Sequence, residues 1–337
     1  MSGLRISICV PTYNGSRWIR PTLRTILTQS FRDFEVVICD DNSTDDTCGV
    51  VEAIGDPRIR VVRNSRNIGY GGNLQRCMEH ARNDIVVLMG QDDLVCDGYL
   101  QKIHDIFVKH PEVGVVTRAY FWFQGDVKVP VRAKPPVEAT CDSILSINTA
   151  PPELLFRAIS SMDQLSCLAL RREWIQAPVH SHVFPAHVYP VMSVWKRHAL
   201  YCMKDNVLAV RIESSQSRSV KSIYDPSPVW TWVQLFETMF PEPEFTVMRT
   251  KCIRDFVATN YVGLVQIRNY GRYSWLLREI GMLLRYRWVN VFSPQFWFFS
   301  LGCMVMPPLL LIGMVDGFKR RFLSRSIDPI DFRYTAE

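Results

Sequence analysis

Asp92 and Asp93 stand side by side where the apolar run Ile85-Val86-Val87-Leu88-Met89 gives way to Gly90-Gln91. Adjacent carboxylates repel each other, and no Lys or Arg lies between Val86 and Tyr99 to offset them. A hard divalent cation is the economical partner, because it takes oxygen ligands and keeps positions open for water and phosphate oxygens. An ion held by one or two side chains is typical of Mg2+ or Mn2+ arriving with a diphosphate. The pair therefore suggests binding of a nucleoside diphosphate through its metal. Pro11-Thr12-Tyr13-Asn14-Gly15 and Asp40-Asp41-Asn42-Ser43 end two further apolar runs, so three polar loops would meet on one rim. Asp45 and Asp46 have a plainer reading, since Ser43 followed by Asp46 is a capping-box variant at a helix start. Gly69-Tyr70-Gly71-Gly72-Asn73, with Asn67 ahead of it, reads as a tight turn entering a helix. The alternative there is a helix N-terminus facing phosphate or base. No Walker-type loop is present, and no Gly-x-Gly-x-x-Gly follows the first apolar run.

The elements that must position these residues alternate. Ile6–Val10, Glu35–Cys39, Ile59–Val62, Ile85–Met89 and Val113–Val116 read as strands with helix-length amphipathic stretches between most of them. That rhythm predicts an α/β fold, a mostly parallel sheet with helices on both faces. Ligands on such sheets bind beyond the carboxyl ends of the strands, where the three loops stand. The rhythm weakens after Tyr120-Phe121-Trp122-Phe123, and Pro241-Glu242-Pro243 precedes a helical tail. Residues 1–120, 121–240 and 241–337 are accordingly expected as a ligand-binding half, a more irregular half and a helical C-terminal region.

With 337 residues and 47% apolar content the chain can bury a substantial core. A net charge of +6, spread thinly until Lys319-Arg320-Arg321, does not indicate a nucleic-acid partner. Ten scattered cysteines without a Cys-x-x-Cys pair suit reduced thiols in a cytosolic compartment, and the N-terminus lacks a signal-peptide layout. From Val291 to Val315 there is no charged side chain. That length fits a bilayer-spanning or re-entrant segment, although Pro294 and Pro307-Pro308 would break a straight helix. A re-entrant path or a helical hairpin in one leaflet is favoured, with a pair of buried helices as the alternative. Trp275–Arg285 just ahead of it alternates apolar and basic faces, as an interfacial helix does.

Val10-Pro11-Thr12-Tyr13-Asn14, Ile26–Phe31, Phe34–Thr47 with its Asp40-Asp41-Asn42-Ser43, Arg66-Asn67-Ile68-Gly69 and Gln91-Asp92-Asp93, in that order, resemble the family 2 glycosyltransferases of the GT-A fold. The resemblance covers roughly the first 120 residues. It implies transfer of a sugar, usually with inversion, from a nucleotide diphosphate donor, a UDP-sugar in the first instance, with Mn2+ or Mg2+ as cofactor. It implies that Pro11, Thr12, Tyr13 and Asn14 line the base and ribose pocket together with Asn67, Gly69, Asn73 and Gln91. Asp41 would contact the base, Asp92 the ribose or metal, and Asp93 the metal. Gly90 departs from the Asp-x-Asp pattern of many members, which leaves open which acid is the ligand. The family's catalytic base is generally an Asp near a helix start in the second half. Following Leu168–Trp174, the matching position falls near Ala186-His187-Val188, making His187 the first candidate and Asp163 the carboxylate alternative. His180 and His182 stand close by. Arg211, Arg218 and Lys221 are candidates for donor phosphates, with a solvated surface as the alternative.

Together with the tail, the resemblance implies a lipid-linked or other glycan acceptor such as a polyprenyl diphosphate sugar, as in O-antigen or capsule assembly. It also implies a membrane surface as partner, a place at the cytoplasmic face of the membrane, and room for a homo-oligomer. The competing expectation is a non-catalytic nucleotide-sugar-binding or scaffold protein derived from the same fold, motivated by the missing acid at His187.

Overall fold

The computed structural model describes residues 3–180, 185–214, 221–318 and 330–335. His182, Arg218, the side chain of Lys221 and the Lys319-Arg320-Arg321 knot lie outside the described residues. The chain divides into two compact units, Met1–Glu213 with Ile327–Glu337, and Ser214–Ser326.

The first unit runs β1 (Ile6–Thr12), α1 (Ile19–Leu27), β2 (Phe34–Asp40), α2 (Thr47–Glu52), β3 (Ile59–Arg63), α3 (Gly69–Glu79), β4 (Ile85–Leu88), β5 (Leu94–Val95), α4 (Tyr99–Lys109) and β6 (Val113–Phe123). It continues with β7 (Pro130–Lys134), β8 (Ser143–Leu145), α5 (Pro152–Ser161), β9 (Leu168–Arg171), α6 (Val188–Trp195) and β10 (Ala199–Arg211). The sheet order is β3-β2-β1-β4-β9-β6-β10-β5, with β7 on β6 and β8 on β10. The first four strands in this order are parallel, with Ile6 opposite Phe34 and Ile85. β9 enters antiparallel between β4 and β6. β6 carries on through Tyr120–Phe123, so one strand crosses the point where the sequence rhythm weakens.

Alternation along β1 fixes which helices cover which face. Ile6, Ile8 and Val10 pack with Ile19, Leu23 and Ile26 of α1 and with Ile103 and Phe107 of α4. The opposite face carries Cys9, whose thiol lies 3.5 Å from the Cys77 carbonyl of α3. The buried positions of α1 recur at three- and four-residue spacing, which is the apolar stripe a sheet-covering helix requires. Truncating a fully buried Leu23 to Ala would cost about 2–5 kcal/mol. Near the other edge, the C-terminal residues Ile330, Phe332 and Tyr334 pack on Leu94, Phe121 and Phe123. The Asp97 amide donates to the Arg333 carbonyl at 2.8 Å, so this stretch braces the loop that follows β5.

The second unit is helical: α7 (Pro228–Met239), α8 (Thr246–Lys251), α9 (Val262–Tyr270), α10 (Tyr273–Tyr286), α11 (Pro294–Val305) and α12 (Pro308–Phe318). Its helices begin ahead of the Pro241–Pro243 boundary, because the unit itself starts at Ser214. Ser227 caps α7 by accepting from the Trp230 amide. Its hydroxyl in turn donates to buried Glu279 of α10, which also accepts the Val229 amide at 2.9 Å. The uncharged stretch breaks at Pro307-Pro308 into α11 and α12. Among the described residues no helix is long and apolar enough to cross a membrane.

Candidate active site

Parallel pairing places the carboxyl ends of β1, β2 and β4 at one edge, and hydrogen bonds tie the three loops there together. Thr12 donates its hydroxyl to the Cys39 carbonyl at 3.3 Å and to Asp40 at 3.2 Å. Asn14, in left-handed backbone at φ 49°, donates its backbone amide to Ser43 Oγ at 2.9 Å and accepts the Thr44 amide at its Oδ1 at 2.8 Å. Gln91 pairs its side-chain amide with the Tyr13 backbone, accepting from the amide at 3.0 Å and donating to the carbonyl at 3.1 Å. A Cβ on Gly15 would lie 2.2 Å from Gln91 Oε1, so only glycine lets Gln91 reach across.

Asp41 is buried at the end of β2. Its Oδ1 accepts from Asn64 Nδ2 at 2.9 Å and from the Ile68 amide at 2.8 Å, and its Oδ2 accepts from the Gly69 amide at 2.9 Å. A carboxylate at the start of α3 also suits the helix dipole. The Ile68 and Gly69 amides are therefore committed to Asp41 and not to a phosphate. Asn67 shares the Gly69 amide at 3.0 Å. Asn73 is buried, donating to the Cys39 carbonyl at 2.8 Å and accepting from Asn64 at 3.0 Å. Asn64 links both and carried no sequence signal, since it lies just past β3 in an ordinary polar stretch.

The acidic pair is divided by burial. Asp93 is 3% exposed, its Oδ2 accepting from Ser166 Oγ at 2.5 Å and its Oδ1 from the Arg211 amide at 3.1 Å. Burial, and then the charge of Asp92, push its carboxyl up to about 7, against the opposing pull of those hydrogen bonds and of Arg118. Asp92 is half-buried. Arg211 donates Nε to the Asp92 carbonyl at 3.2 Å while its guanidinium lies 4.4 Å from the Trp18 ring and 4.6 Å from Phe123. The positive charge expected from a cation alone is thus supplied in part by the protein. Buried Arg118 of β6 acts on Asp93 from far away in sequence, and Arg211 of β10 adds its backbone amide to Asp93 and its Nε to the Asp92 carbonyl.

Gly90 sits where an added Cβ would meet Asp92 Oδ1 at 3.0 Å, Ser166 Oγ at 3.1 Å and Asp93 Oδ2 at 3.2 Å. A third acid there would crowd two existing carboxylates. Among the described residues no three His, Cys, Asp or Glu side chains are grouped to hold a metal. Both oxygens of Asp93 are engaged by protein donors, and Asp92 is the more exposed of the two carboxylates. A single carboxylate suits Mg2+ or Mn2+ when diphosphate and water complete the shell.

His187 caps α6 and is 3% exposed. Its Nε2 lies 2.9 Å from the Met162 carbonyl and its Nδ1 3.2 Å from Tyr70 Oη. A carbonyl only accepts, so Nε2 carries the proton and Nδ1 accepts from Tyr70. Burial lowers the imidazole to about 4, with Arg118 adding to the effect. Asp163 is more open: Tyr120 donates to its Oδ1, and Lys134 Nζ lies 3.1 Å from its Oδ2. It precedes Ser166 by three residues, so the loop that carries it also holds Asp93. His180 stacks on Tyr189 with centroids 4.6 Å apart.

The pattern "Glycosyl transferase family 2" matches residues 7–176, just over half of the chain. A Campylobacter jejuni GalNAc(5)-diNAcBac-PP-undecaprenol beta-1,3-glucosyltransferase is 31% identical over 102 residues, 29% of this chain and 33% of that protein. An Escherichia coli UDP-Glc:alpha-D-GlcNAc-diphosphoundecaprenol beta-1,3-glucosyltransferase is 32% identical over 88 residues, 26% and 35% of the two chains. The chain thus spans about a third of the length of the curated relatives it matches. Among solved structures, Staphylococcus aureus TarS 1–349 in complex with UDP-GlcNAc superposes with a TM-score of 0.62 at 16% identity, covering 96% of this chain and 91% of that one. The Pyrobaculum calidifontis mannosyltransferase PcManGT in complex with GDP-Man and Mn2+ gives 0.53 at 17% identity, covering 90% and 87%. Likenesses at that identity bear on the fold alone, and the fold is GT-A, a sheet with helices on both faces and a helical C-terminal region. With its sequence pattern matched across more than half its length, the chain belongs to glycosyl transferase family 2.

Proposed function

We propose that the protein is a metal-dependent inverting glycosyltransferase that moves a hexosyl group from a nucleoside diphosphate sugar, a UDP-sugar first, to a polyprenyl diphosphate-linked glycan. It works at the cytoplasmic face of a membrane, in polysaccharide or O-antigen-type assembly. The observation that carries the reading is the interlocked rim, in which Thr12, Asp41, Gln91 and Asp92 come from three strand ends bound to one another. The undecaprenol-linked glucosyltransferases among the relatives support the acceptor class. The UDP-GlcNAc of TarS and the Mn2+ of PcManGT support the donor and cofactor.

Pro11, Thr12, Tyr13 and Asn14, with Asp41, Asn67, Gly69 and Asn73 behind them, form the nucleoside pocket. Gln91 acts on it by fixing Tyr13. Asp92 would hold Mn2+ or Mg2+, which when bound neutralises charge on the leaving diphosphate. Asp93 anchors the loop through Ser166 and the Arg211 amide. Of the two candidate bases, Asp163 is the one with a partly exposed side chain, its oxygens held by Tyr120 and Lys134. It takes the acceptor hydroxyl proton as that oxygen bonds to the anomeric carbon, and the bond to the diphosphate breaks with its electron pair leaving on the nucleotide. His187 supports the site through Tyr70.

Purified protein, labelled UDP-glucose or UDP-GlcNAc and a polyprenyl-lipid extract test the reading, with EDTA and Asp92→Asn as controls. Metal-dependent label transfer into lipid, lost in the variant, is expected. Nucleotide binding with no turnover on any donor would instead favour a non-catalytic nucleotide-sugar-binding protein, the reading to which the buried His187 lends weight.

A further inference from the structure

We propose that α11 and α12 form a monotopic platform that seats the helical unit in one leaflet of an anionic lipid bilayer. α11 turns Trp297, Phe298, Leu301 and Val305 outward at helical spacing, while Phe296, Ser300 and Cys303 pack inward. α12 adds outward Leu309 and Leu310. Phe298 is 74% exposed, Val305 80% and Leu309 87%. Both helices pack on α9, so these faces are what the unit shows to its surroundings there. Large apolar side chains exposed together on two helices that share a packing partner mark an interaction site.

Length and breakage decide how the platform meets lipid. α11 has 12 residues, which at 1.5 Å per residue is about 18 Å, against a hydrocarbon core of about 30 Å. Pro307-Pro308 then turns the chain before α12. Arg268 fastens that turn by donating Nε to the Met306 carbonyl at 3.0 Å. A helix pair this short, apolar on most sides and broken at Pro307-Pro308, enters one leaflet without crossing the bilayer.

Charge selects the occupant. From Phe256 to Phe318, where α12 ends, the chain has five arginines, 268, 272, 278, 285 and 287, against two acids, buried Glu279 and Asp316, and only Arg278 among the five is paired with a carboxylate among the described residues, that of Asp225. Arg272 and Arg285 are exposed. A second copy of the unit would bring the same positive charge to the contact, whereas anionic headgroups neutralise it. The inference deepens the lipid-linked acceptor reading and rests on it for the choice of a lipid partner, but its test does not use sugar transfer.

Full-length protein is floated with phosphatidylcholine vesicles with and without 30% phosphatidylglycerol, and its tryptophan emission is read in vesicles brominated at shallow or deep acyl positions. Flotation with the anionic vesicles, weakening as salt rises, and quenching by shallow bromines are expected. Phe298→Glu with Leu309→Glu should lower the bound fraction at least tenfold while UDP-sugar binding and the melting temperature hold. Arg272→Glu with Arg285→Glu gives a second readout that leaves the apolar face intact, and should abolish the preference for anionic lipid. Failure of the wild type to float, unchanged flotation of both variants, or a dimer that the Phe298→Glu change converts to monomer would each overturn the proposal. If flotation holds and no lipid-linked acceptor is used, the platform stands and the acceptor reading falls. If transfer to a lipid-linked acceptor occurs without flotation, the acceptor reading stands and the platform falls.

Discussion

Gln91 holds Tyr13 by both ends of its side-chain amide, at 3.0 and 3.1 Å, and so locks the loop after β4 to the loop after β1. The pairing needs Gly15, whose missing side chain is the space Gln91 Oε1 occupies. Gln91→Ala should remove both solvent-exposed hydrogen bonds, about 0.5–1 kcal/mol, and weaken UDP-sugar binding several-fold by calorimetry. Gly15→Ala should do the same by pushing Gln91 aside. Because both act on one contact, the double variant should be little worse than either single one. Additive losses would mean that Gln91 touches the ligand itself.

Asp41→Ala should be costly to the fold as well as to binding. It leaves the Ile68 N–H and one of the two Asn64 amide hydrogens without their acceptor, while the other amide hydrogen keeps Asn73 and Gly69 keeps Asn67. Unsatisfied buried donors of this kind cost about 1–3 kcal/mol each. Urea unfolding should show a midpoint shift of that size with an unchanged slope, and Asp41→Asn should lie between the variant and wild type. A fully stable Asp41→Ala protein that fails to bind UDP would assign the carboxylate to the ligand alone.

Asp93 and His187 set opposing pH dependences. The Asp93 carboxyl sits at about 7 when folded and near 3.9 when unfolded. Between those values the folded state keeps a proton the unfolded chain has lost, so stability falls as pH rises from about 4 through 7 and is level above. His187 sits at about 4 when folded and near 6.5 when unfolded, so its contribution is full above about 6.5 and is lost as pH falls toward 4. The two slopes offset each other in the acid range, which leaves the Asp93 limb visible between about pH 6.5 and 7.5. Melting temperatures of wild type should fall across that window, and those of Asp93→Asn should be nearly flat. Parallel profiles for the two proteins would show that Asp93 is ionised throughout.

Why some of this was legible in the sequence and some was not follows from chain distance. Runs such as Ile6–Val10 and Ile85–Met89 announce buried strands, and parallel pairing alone sends Thr12, Asp41 and Asp92 to one edge. The partners of the acidic pair gave no such signal. Ser166 is 73 residues from Asp93 and the Arg211 amide 118, and both arrive only because β9 inserts antiparallel between β4 and β6 and β10 follows β6. Local reading therefore found no basic partner in the stretch and turned to a metal for the positive charge, when buried Arg118 supplies part of it. His187 is a related case. Its type suggests titration near neutrality, but the helix start that should expose a base is buried here between Met162 and Tyr70.

The base is the last point to test, and the geometry makes the two candidates separable. With Nε2 facing a carbonyl and Nδ1 facing the Tyr70 hydroxyl, His187 must release Tyr70 before it can accept a proton from an acceptor. Asp163 needs no such rearrangement, since its carboxylate is partly open to solvent beside Lys134. Asp163→Asn should therefore lower kcat by about 100- to 10,000-fold, the usual contribution of a general base, with KM for the donor little changed. His187→Gln should lower the melting temperature more than it lowers kcat, because its loss is felt in packing around Tyr70 and Met162. Tyr70→Phe separates the remaining case: were His187 the base, freeing Nδ1 would raise kcat, whereas a supporting His187 leaves kcat flat or reduced. An active Asp163→Asn enzyme beside an inactive but stable His187→Gln enzyme would reverse the assignment.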